Sequence, residues 1–418
     1  VTGLIDAPAS RPSEIPRHPE PARSPTSFQL RHGPIDLARR GRPLLRPAAY
    51  YLLSRFAVCI AALVATSFIP KLRLLQTMGG AFDGRWYLKI AQQGYPDHLY
   101  QEGQGSRWAF FPGFPAAVRA VSEVTRLHLS DAAVLAAFVF GLTSAIAIWL
   151  AVREVFGARL ADRAVLLYVF CPTAYVLSLA YTEGLFLTAA AGCLFALSRR
   201  YWITAALCAC AAGLTRNAGI AVILAVLVVT LPAAWRERTW RPAVAAAIAP
   251  LGLAAFMAFG WVMVGTPAAF LSAERFWQGQ HFAWFVTPVA ALFAAFGGGP
   301  TTLVEAMAGS ALVLGFLGIW LLDRMSGAVR GVGATKATVP ASWWVYTVAA
   351  LLIAYSAYFT DSIPRYTMAA FPLFVAFAWK LPRSMEAAVV GVLASLQVAL
   401  LIGVLSSAAH ASGLSLLP

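Results

Sequence analysis

Long apolar runs separated by short polar clusters make up this chain from residue 47 onward. Cut into spans of about 20 residues, the runs predict helices near 50–70, 131–152, 164–180, 184–198, 202–214 and 218–231. Further spans fall near 244–264, 303–322, 342–359, 366–379 and 387–405, about eleven in all. Between the first two spans the pattern changes. Phe82, Trp86 and Ile90 recur at four-residue spacing, so 82–93 reads as a helix lying flat at the interface with its apolar face down. The run Phe111-Pro112-Gly113-Phe114-Pro115 breaks the chain, and 116–127 reads as a second surface helix. The run 286–296 is too short to span and precedes Gly297-Gly298-Gly299-Pro300, which predicts a surface or re-entrant helix. The expected fold class is all-α, a polytopic membrane protein.

Composition supports this pattern. Apolar residues make up 60 % of the 418 and charged residues 12 %, against about a quarter charged in ordinary soluble domains. The net charge of +14 does not indicate nucleic-acid binding, because the bases punctuate apolar runs instead of forming a patch on a soluble face. Cys59, Cys171, Cys193, Cys208 and Cys210 all lie within apolar stretches without metal-ligand spacing, as small buried hydrophobes do. Residues 1–46 hold eight Arg against four acids and are rich in Pro and Ser, the composition of a disordered tail. The positive-inside rule puts that tail in the cytoplasm, with most Lys and Arg in the tail and inner loops. Residues 47–410 then form one transmembrane domain, 411–418 a short outer tail, and Arg55 marks the inner end of the first span.

This topology collects at the outer ends the ionisable residues Asp83, Arg85, Lys89, Glu183, Arg216, Glu274, Arg275, His281, Asp361 and Arg365, along with the amide Asn217. Charge at or near hydrocarbon depth is costly and normally has a partner or a task. The stretches 81–96 and 107–115 add Trp86, Tyr87, Tyr95, Arg107 and Trp108, and together read as one wall of an active site. Each residue also has a plainer reading. Asp83 can cap a helix or pair with a base, Glu183 can form a structural ion pair, and Arg216 or Arg365 can snorkel to headgroups. Two arginines beside polar partners on the acid-rich face suit a phosphate better. No Gly-rich phosphate loop, GxSxG or zinc signature is present. In direct sugar transfer a carboxylate takes the proton of an incoming hydroxyl, while cations steady the departing phosphate.

Five ordered segments carry a resemblance. Phe82-Asp83-Gly84-Arg85-Trp86-Tyr87, continuing to Gly94-Tyr95, resembles the WDxxWYxxIAxxGY segment of the PIG-V-like mannosyltransferases. Phe110-Phe111-Pro112 and Pro115 resemble the family's FFPxxP run, and Tyr181-Thr182-Glu183 with Phe186 its Y-[ST]-E-x-x-F. Leu214-Thr215-Arg216 with Gly219 resembles LTRxxG, and Pro364-Arg365-Tyr366 the late PRY segment. The matches run from about 82 to 375, with Phe82 in place of the usual Trp and Asn217 where relatives often have Pro.

The resemblance implies a GT-C-type integral-membrane glycosyltransferase. Its donor is polyprenyl-phosphate mannose, and it acts with inversion on the non-cytoplasmic face of a bacterial plasma membrane. By its match Asp83 is the catalytic base, and Arg216 and Arg365 hold the donor phosphate. Arg85, Trp86, Tyr87, Tyr181, Glu183, Asn217, Glu274, Arg275 and Asp361 surround the substrates. No cofactor or metal is expected, although Asp83 and Glu183 leave a metal site open. The expected partners are a lipid-linked donor, a lipid or glycan acceptor and membrane lipids, with no nucleic acid and no obligate protein partner. The alternatives are a transporter or flippase of a lipid-linked sugar, and a glycan polymerase or ligase using a diphosphate-linked donor. A carrier would place charge at mid-helix and at the inner face.

Overall fold

A computed structural model describes residues 37–68, 73–99, 105–277, 284–296, 303–330 and 338–415. The chain divides into Val1–Gly41 and Arg42–Pro418, the first almost wholly outside the described residues. Residues 1–36 and His281 of the expected tail and outer cluster also lie outside. The helix α1, Leu37–Phe68, already begins within the stretch assigned to the tail.

The described elements are helical. After α1 come α2 (Leu74–Gly80), α3 (Gly84–Gln93), α4 (Gly113–Thr125), α5 (Leu129–Phe156) and α6 (Ala158–Phe170). A 3-10 segment, Pro172–Ser178, leads to α7 (Glu183–Ser198), α8 (Trp202–Thr215), α9 (Gly219–Glu237), α10 (Trp240–Ile248) and α11 (Leu251–Val264). Next are α12 (Ala269–Trp277), α13 (Val286–Phe296), α14 (Leu303–Arg330) and α15 (Ala341–Tyr355), then α16 (Ser362–Ala369), α17 (Pro372–Lys380) and α18 (Arg383–Ser415).

Among the described residues, six helices are long and apolar enough to cross a membrane: Leu44–Phe68, Leu129–Phe156, Gly219–Glu237, Trp240–Val264, Val304–Ser326 and Arg383–Ala408. A seventh arises if α6 and the 3-10 segment, bent by 79° at their junction, count as one. The expectation of about eleven spans is therefore corrected. The runs near 184–198, 202–214 and 342–359 fold into helices of 16, 14 and 15 residues. At 1.5 Å per residue these reach about 24 Å at most, short of a hydrocarbon core of about 30 Å. The run near 366–379 is split between the short helices α16 and α17.

Burial explains the apolar character of these pieces. Phe186, Leu187, Ala190, Cys193 and Leu194 of α7 are fully buried. A helix apolar on all sides belongs inside a core as readily as in lipid. α7 packs between α5 and α8, α15 lies on α9, and α17 bridges α6 and α14. At one end of the bundle, ion pairs tie neighbouring helices: Arg46 to Asp162 at 2.7 Å, Arg199 to Glu154 at 2.6 Å, Arg163 to Glu386, and Arg200 to Glu237. Arg199 follows the last residue of α7, whereas Glu183 is its first, so that acid lies at the opposite end.

Two sequence expectations near α3 and α1 change. The helix expected at the interface starts at Gly84 rather than Phe82, because Phe82 has a φ of +47° and turns the chain before the helix. Phe82 is 44 % exposed, while Trp86 and Ile90 are buried against protein. Arg55 is not at the end of a span. It sits midway along Leu44–Phe68 and is 1 % exposed.

Candidate active site

The places where helices stop short converge on one cavity of about 620 Å³. Its wall takes Thr173 and Tyr175 from the 3-10 segment, Tyr181 to Glu183 from the entry to α7, Thr215 to Asn217 from the link between α8 and α9, and Asp361, Ser362 and Pro364 to Tyr366 from α16 and its approach. Non-helical backbone at membrane depth is tolerated where it lines such a cavity. The half-length helices and the cavity are thus one feature.

Eleven of the twelve residues expected at the site line it: Asp83, Arg85, Trp86, Tyr87, Tyr181, Glu183, Arg216, Asn217, Glu274, Asp361 and Arg365. Arg275, the neighbour of Glu274 on α12, does not, and it is exposed. Successive residues on a helix point about 100° apart, so only one of this pair can face in. Three members of the expected wall also stand outside. The Tyr95 hydroxyl donates to the Phe110 carbonyl at 2.5 Å, Arg107 donates to the Gly94 carbonyl at 2.8 Å, and the Trp108 indole donates to the Pro96 carbonyl at 3.1 Å. Together they tie 94–96 to 107–110. Lys89 rests over the Trp86 ring at 5.0 Å.

Asp83 occupies the N-cap position of α3, yet its side chain makes no capping bond. Its backbone carbonyl accepts from Trp86 and Tyr87 instead, which leaves the carboxylate for the cavity. There its Oδ2 lies 2.6 Å from Nη2 of Arg365. Gly84 makes this turn possible, because a Cβ at that position would come within 2.5 Å of the Gly79 carbonyl oxygen.

Glu183 opens α7 and is 1 % exposed. Its Oε1 lies 3.0 Å from Nη1 of Arg216 and 3.8 Å from Nη1 of Arg365, so one carboxylate serves two guanidiniums. Close approach of α7 to α5 sets this position, since a Cβ on Gly184 would meet the Gly141 nitrogen at 2.8 Å. The rings of Tyr366 and Tyr181 flank the arginines. Arg216 lies 4.6 Å from the Tyr366 ring centre, and Arg365 lies 5.0 Å from Tyr366 and 4.9 Å from Tyr181. Among the described residues, both Glu183 oxygens and the Nε and Nη1 of Arg216 are buried without a hydrogen-bond partner. Charges are adjacent there, but the N–H groups do not point at the oxygens.

Burial works against charge on Arg365, and Asp83, Tyr366 and Glu183 more than offset it, holding the guanidinium well above its ordinary value. Arg216 behaves alike, with burial opposed mainly by Glu183. Burial also raises the phenols of Tyr87, Tyr181 and Tyr366. They stay protonated. Among the described residues no group of three or more His, Cys, Asp or Glu is gathered to hold a metal ion.

Tyr366, Phe110, Phe111, Thr173 and Tyr175 line the cavity without having been singled out as site residues. Tyr366, Phe110 and Phe111 sat inside motifs already quoted. Nothing in the sequence marked Tyr175.

Comparison with known proteins gives a partial family match. Residues 112–261 match the model described as dolichyl-phosphate-mannose-protein mannosyltransferase. The matched stretch contains Tyr181, Glu183, Arg216 and Asn217 but neither Asp83 nor Arg365. No curated protein matches the chain. Among solved structures, ArnT from Cupriavidus metallidurans bound to undecaprenyl phosphate is 14 % identical with a TM-score of 0.49, over 88 % of this chain and 75 % of that one. The Archaeoglobus fulgidus oligosaccharyltransferase in complex with Zn and sulfate is 12 % identical with a TM-score of 0.47, over 84 % of this chain and 53 % of that one. This chain thus spans about half the length of that archaeal protein.

Proposed function

We propose that the chain is a GT-C-type mannosyltransferase of PIG-V-like character. It moves mannose from polyprenyl-phosphate mannose to a hydroxyl of a lipid or glycan acceptor. The observation that carries this reading is the meeting, in one cavity, of an aspartate whose side chain caps no helix with two arginines, one buried and one largely buried, that share one glutamate. The match of residues 112–261 to mannosyltransferases supports the sugar and the donor class.

The step follows from these groups. The acceptor oxygen attacks C1 of the mannose from the face opposite the phosphate, and its proton passes to Asp83. The bond between C1 and the phosphate oxygen breaks, configuration inverts, and polyprenyl phosphate leaves with the electron pair. Arg216 and Arg365 stabilise the charge gathering on that phosphate, a task suited to rigid, permanently charged forks. Their present counter-ions, Asp83 and Glu183, exchange places with the phosphate when the donor binds. That exchange also frees Asp83 from Arg365 to accept a proton. Tyr181 and Tyr366 hold the guanidinium planes, while Trp86, Phe110 and Phe111 offer ring faces to sugar.

The positive-inside rule assigns the end bearing Arg153, Arg163, Arg199 and Arg200 to the cytoplasm. The cavity then opens on the non-cytoplasmic side. The test is sugar transfer by the purified protein in lipid, with radiolabelled polyprenyl-phosphate mannose and total membrane lipids as acceptors. Label in a new lipid or glycan is the expected result. Donor that is bound or moved across the bilayer but never cleaved would replace this reading with a carrier of lipid-linked sugar.

A further inference from the structure

Among the described residues, Arg55 is the one buried charge on a membrane-spanning helix that the proposed reaction does not use. Its guanidinium is 1 % exposed, and among the described residues no acid pairs with it. Besides the Ser54 hydroxyl beside it, at 3.3 Å from Nε and 3.2 Å from Nη2, its partners are backbone and hydroxyl oxygens on either side of the break between α6 and the 3-10 segment. Nη1 donates to the Ala174 carbonyl at 2.9 Å and the Ser178 hydroxyl at 2.8 Å, and Nη2 reaches the Val169 carbonyl at 3.4 Å. From α18 a second fully buried side chain closes on the same break. Gln397 Nε2 donates to the carbonyls of Val169 and Cys171, both at 3.1 Å.

The last carbonyls of a helix have no intrahelical donor and carry the negative end of its dipole. Breaking the chain by 79° at Cys171 strands such carbonyls in the protein interior. A guanidinium is the side chain that can satisfy several of them at once, and the carbonyls stand in for the acid it lacks. The arrangement therefore accounts for both otherwise costly features, the sharp break and the unpaired cation.

We infer that Arg55 and Gln397 are positioning residues for the cavity: a two-sided clamp that holds the break at Cys171 and so places the segment from Thr173 to Glu183. The clamp touches no cavity group directly. It acts through Ser178, five residues before Glu183, and through Thr173, Tyr175 and Val176, which line the wall. On the other side Gln397 lies one turn from Leu400, a lining residue of α18. The clamp's geometry stands apart from the reaction, while its consequence for ligand binding rests on the proposed lipid-phosphate site.

Two reporters follow the clamp without any substrate. In a background with Cys59, Cys193, Cys208 and Cys210 replaced by Ala, native Cys171 reports the break. Adding Cys171→Ala and Thr182→Cys reports the entry to Glu183. Arg55→Met, Arg55→Lys and Gln397→Leu are compared for alkylation rate at each thiol and for affinity toward polyprenyl monophosphate. Arg55→Met is expected to speed alkylation at both thiols and to weaken the lipid phosphate, each roughly tenfold, the scale of one lost charge-assisted hydrogen bond. Gln397→Leu should act in the same direction. Arg55→Lys, which keeps the charge but reaches fewer carbonyls, should restore part of each effect.

Unchanged alkylation in properly folded Arg55→Met and Gln397→Leu overturns the clamp. A faster Cys171 with an unchanged residue 182 reduces it to a local brace and overturns the positioning role. Should Arg55→Met fail to fold, Gln397→Leu carries the decision. Wild-type protein that does not bind polyprenyl monophosphate while the two thiols respond as expected would count against the proposed function and leave the clamp standing.

Discussion

Glu183→Gln isolates the electrostatics of the cavity. In the wild type one buried carboxylate faces two guanidiniums, at 3.0 Å and 3.8 Å. Arg365 keeps Asp83 as a second counter-ion at 2.6 Å, but Glu183 is the one acid that ion-pairs with Arg216 among the described residues. Removing one partner of a buried pair costs about 3–5 kcal/mol, and since Arg365 remains paired, the lower end, about 3 kcal/mol, is expected. The variant should therefore unfold at markedly lower denaturant than wild type in the same detergent. An added polyprenyl monophosphate supplies a replacement anion. At about 100 times its dissociation constant it returns about 2.7 kcal/mol, nearly all of the loss. Removing the stranded cation as well, in Glu183→Gln with Arg216→Met, should recover stability instead of adding to the damage. The reasoning is refuted if Glu183→Gln stays within about 0.5 kcal/mol of wild type, the range of an ordinary surface substitution. It is equally refuted if the double variant is simply the sum of its parts.

Other substitutions probe neighbouring parts of the account. Arg216→Ala and Arg365→Ala should each weaken retention of polyprenyl-phosphate mannose by about 10- to 100-fold, the scale of a charge-assisted hydrogen bond; equilibrium binding checks this, and unchanged retention in both removes the phosphate assignment. Gly84→Ala pushes a methyl to within 2.5 Å of the Gly79 carbonyl oxygen and should cost about 1–3 kcal/mol. It should also lower turnover more than donor affinity, because the strained residue adjoins Asp83. The cavity phenols are held above their ordinary value of about 10, so they keep their protons as pH rises. Turnover should then show no alkaline limb from them up to about pH 10, and a pH–rate profile ending in a phenolic limb below that would contradict the burial of Tyr87, Tyr181 and Tyr366.

Much of the candidate site was legible in the sequence because charge is scarce in this chain. Asp83, Glu183, Arg216 and Arg365 stand alone among apolar residues, so each is conspicuous. The alternation of about eleven spans that placed them at one end is not what the fold shows, and short helices ending at one cavity bring them together instead. The length of the helices was not legible. A run such as 184–198 is apolar all round, and that pattern is the same whether it faces lipid or a protein core. The 79° break at Cys171 and the short helices around the cavity arise from packing that no local pattern announces. The role of Arg55 was hidden for the same reason. A base in an apolar run reads as a helix end until the carbonyls of a distant break are seen beside it. Arg275 and Trp108 illustrate the opposite error, in which residues of the right type near the right place turn out to face solvent or to brace a loop.

The most direct measurement is single-turnover sugar transfer by wild type and Asp83→Asn in lipid, with donor retention followed in the same samples. The carboxylate makes no capping bond and faces the cavity, so its amide should keep the fold and the phosphate contacts while losing the proton acceptor. Labelled product is expected from wild type, with transfer at least about 100-fold slower from the variant and donor held by both. Transfer within a few-fold of wild type, or a loss of donor binding that matches the loss of rate, would contradict Asp83 as the base.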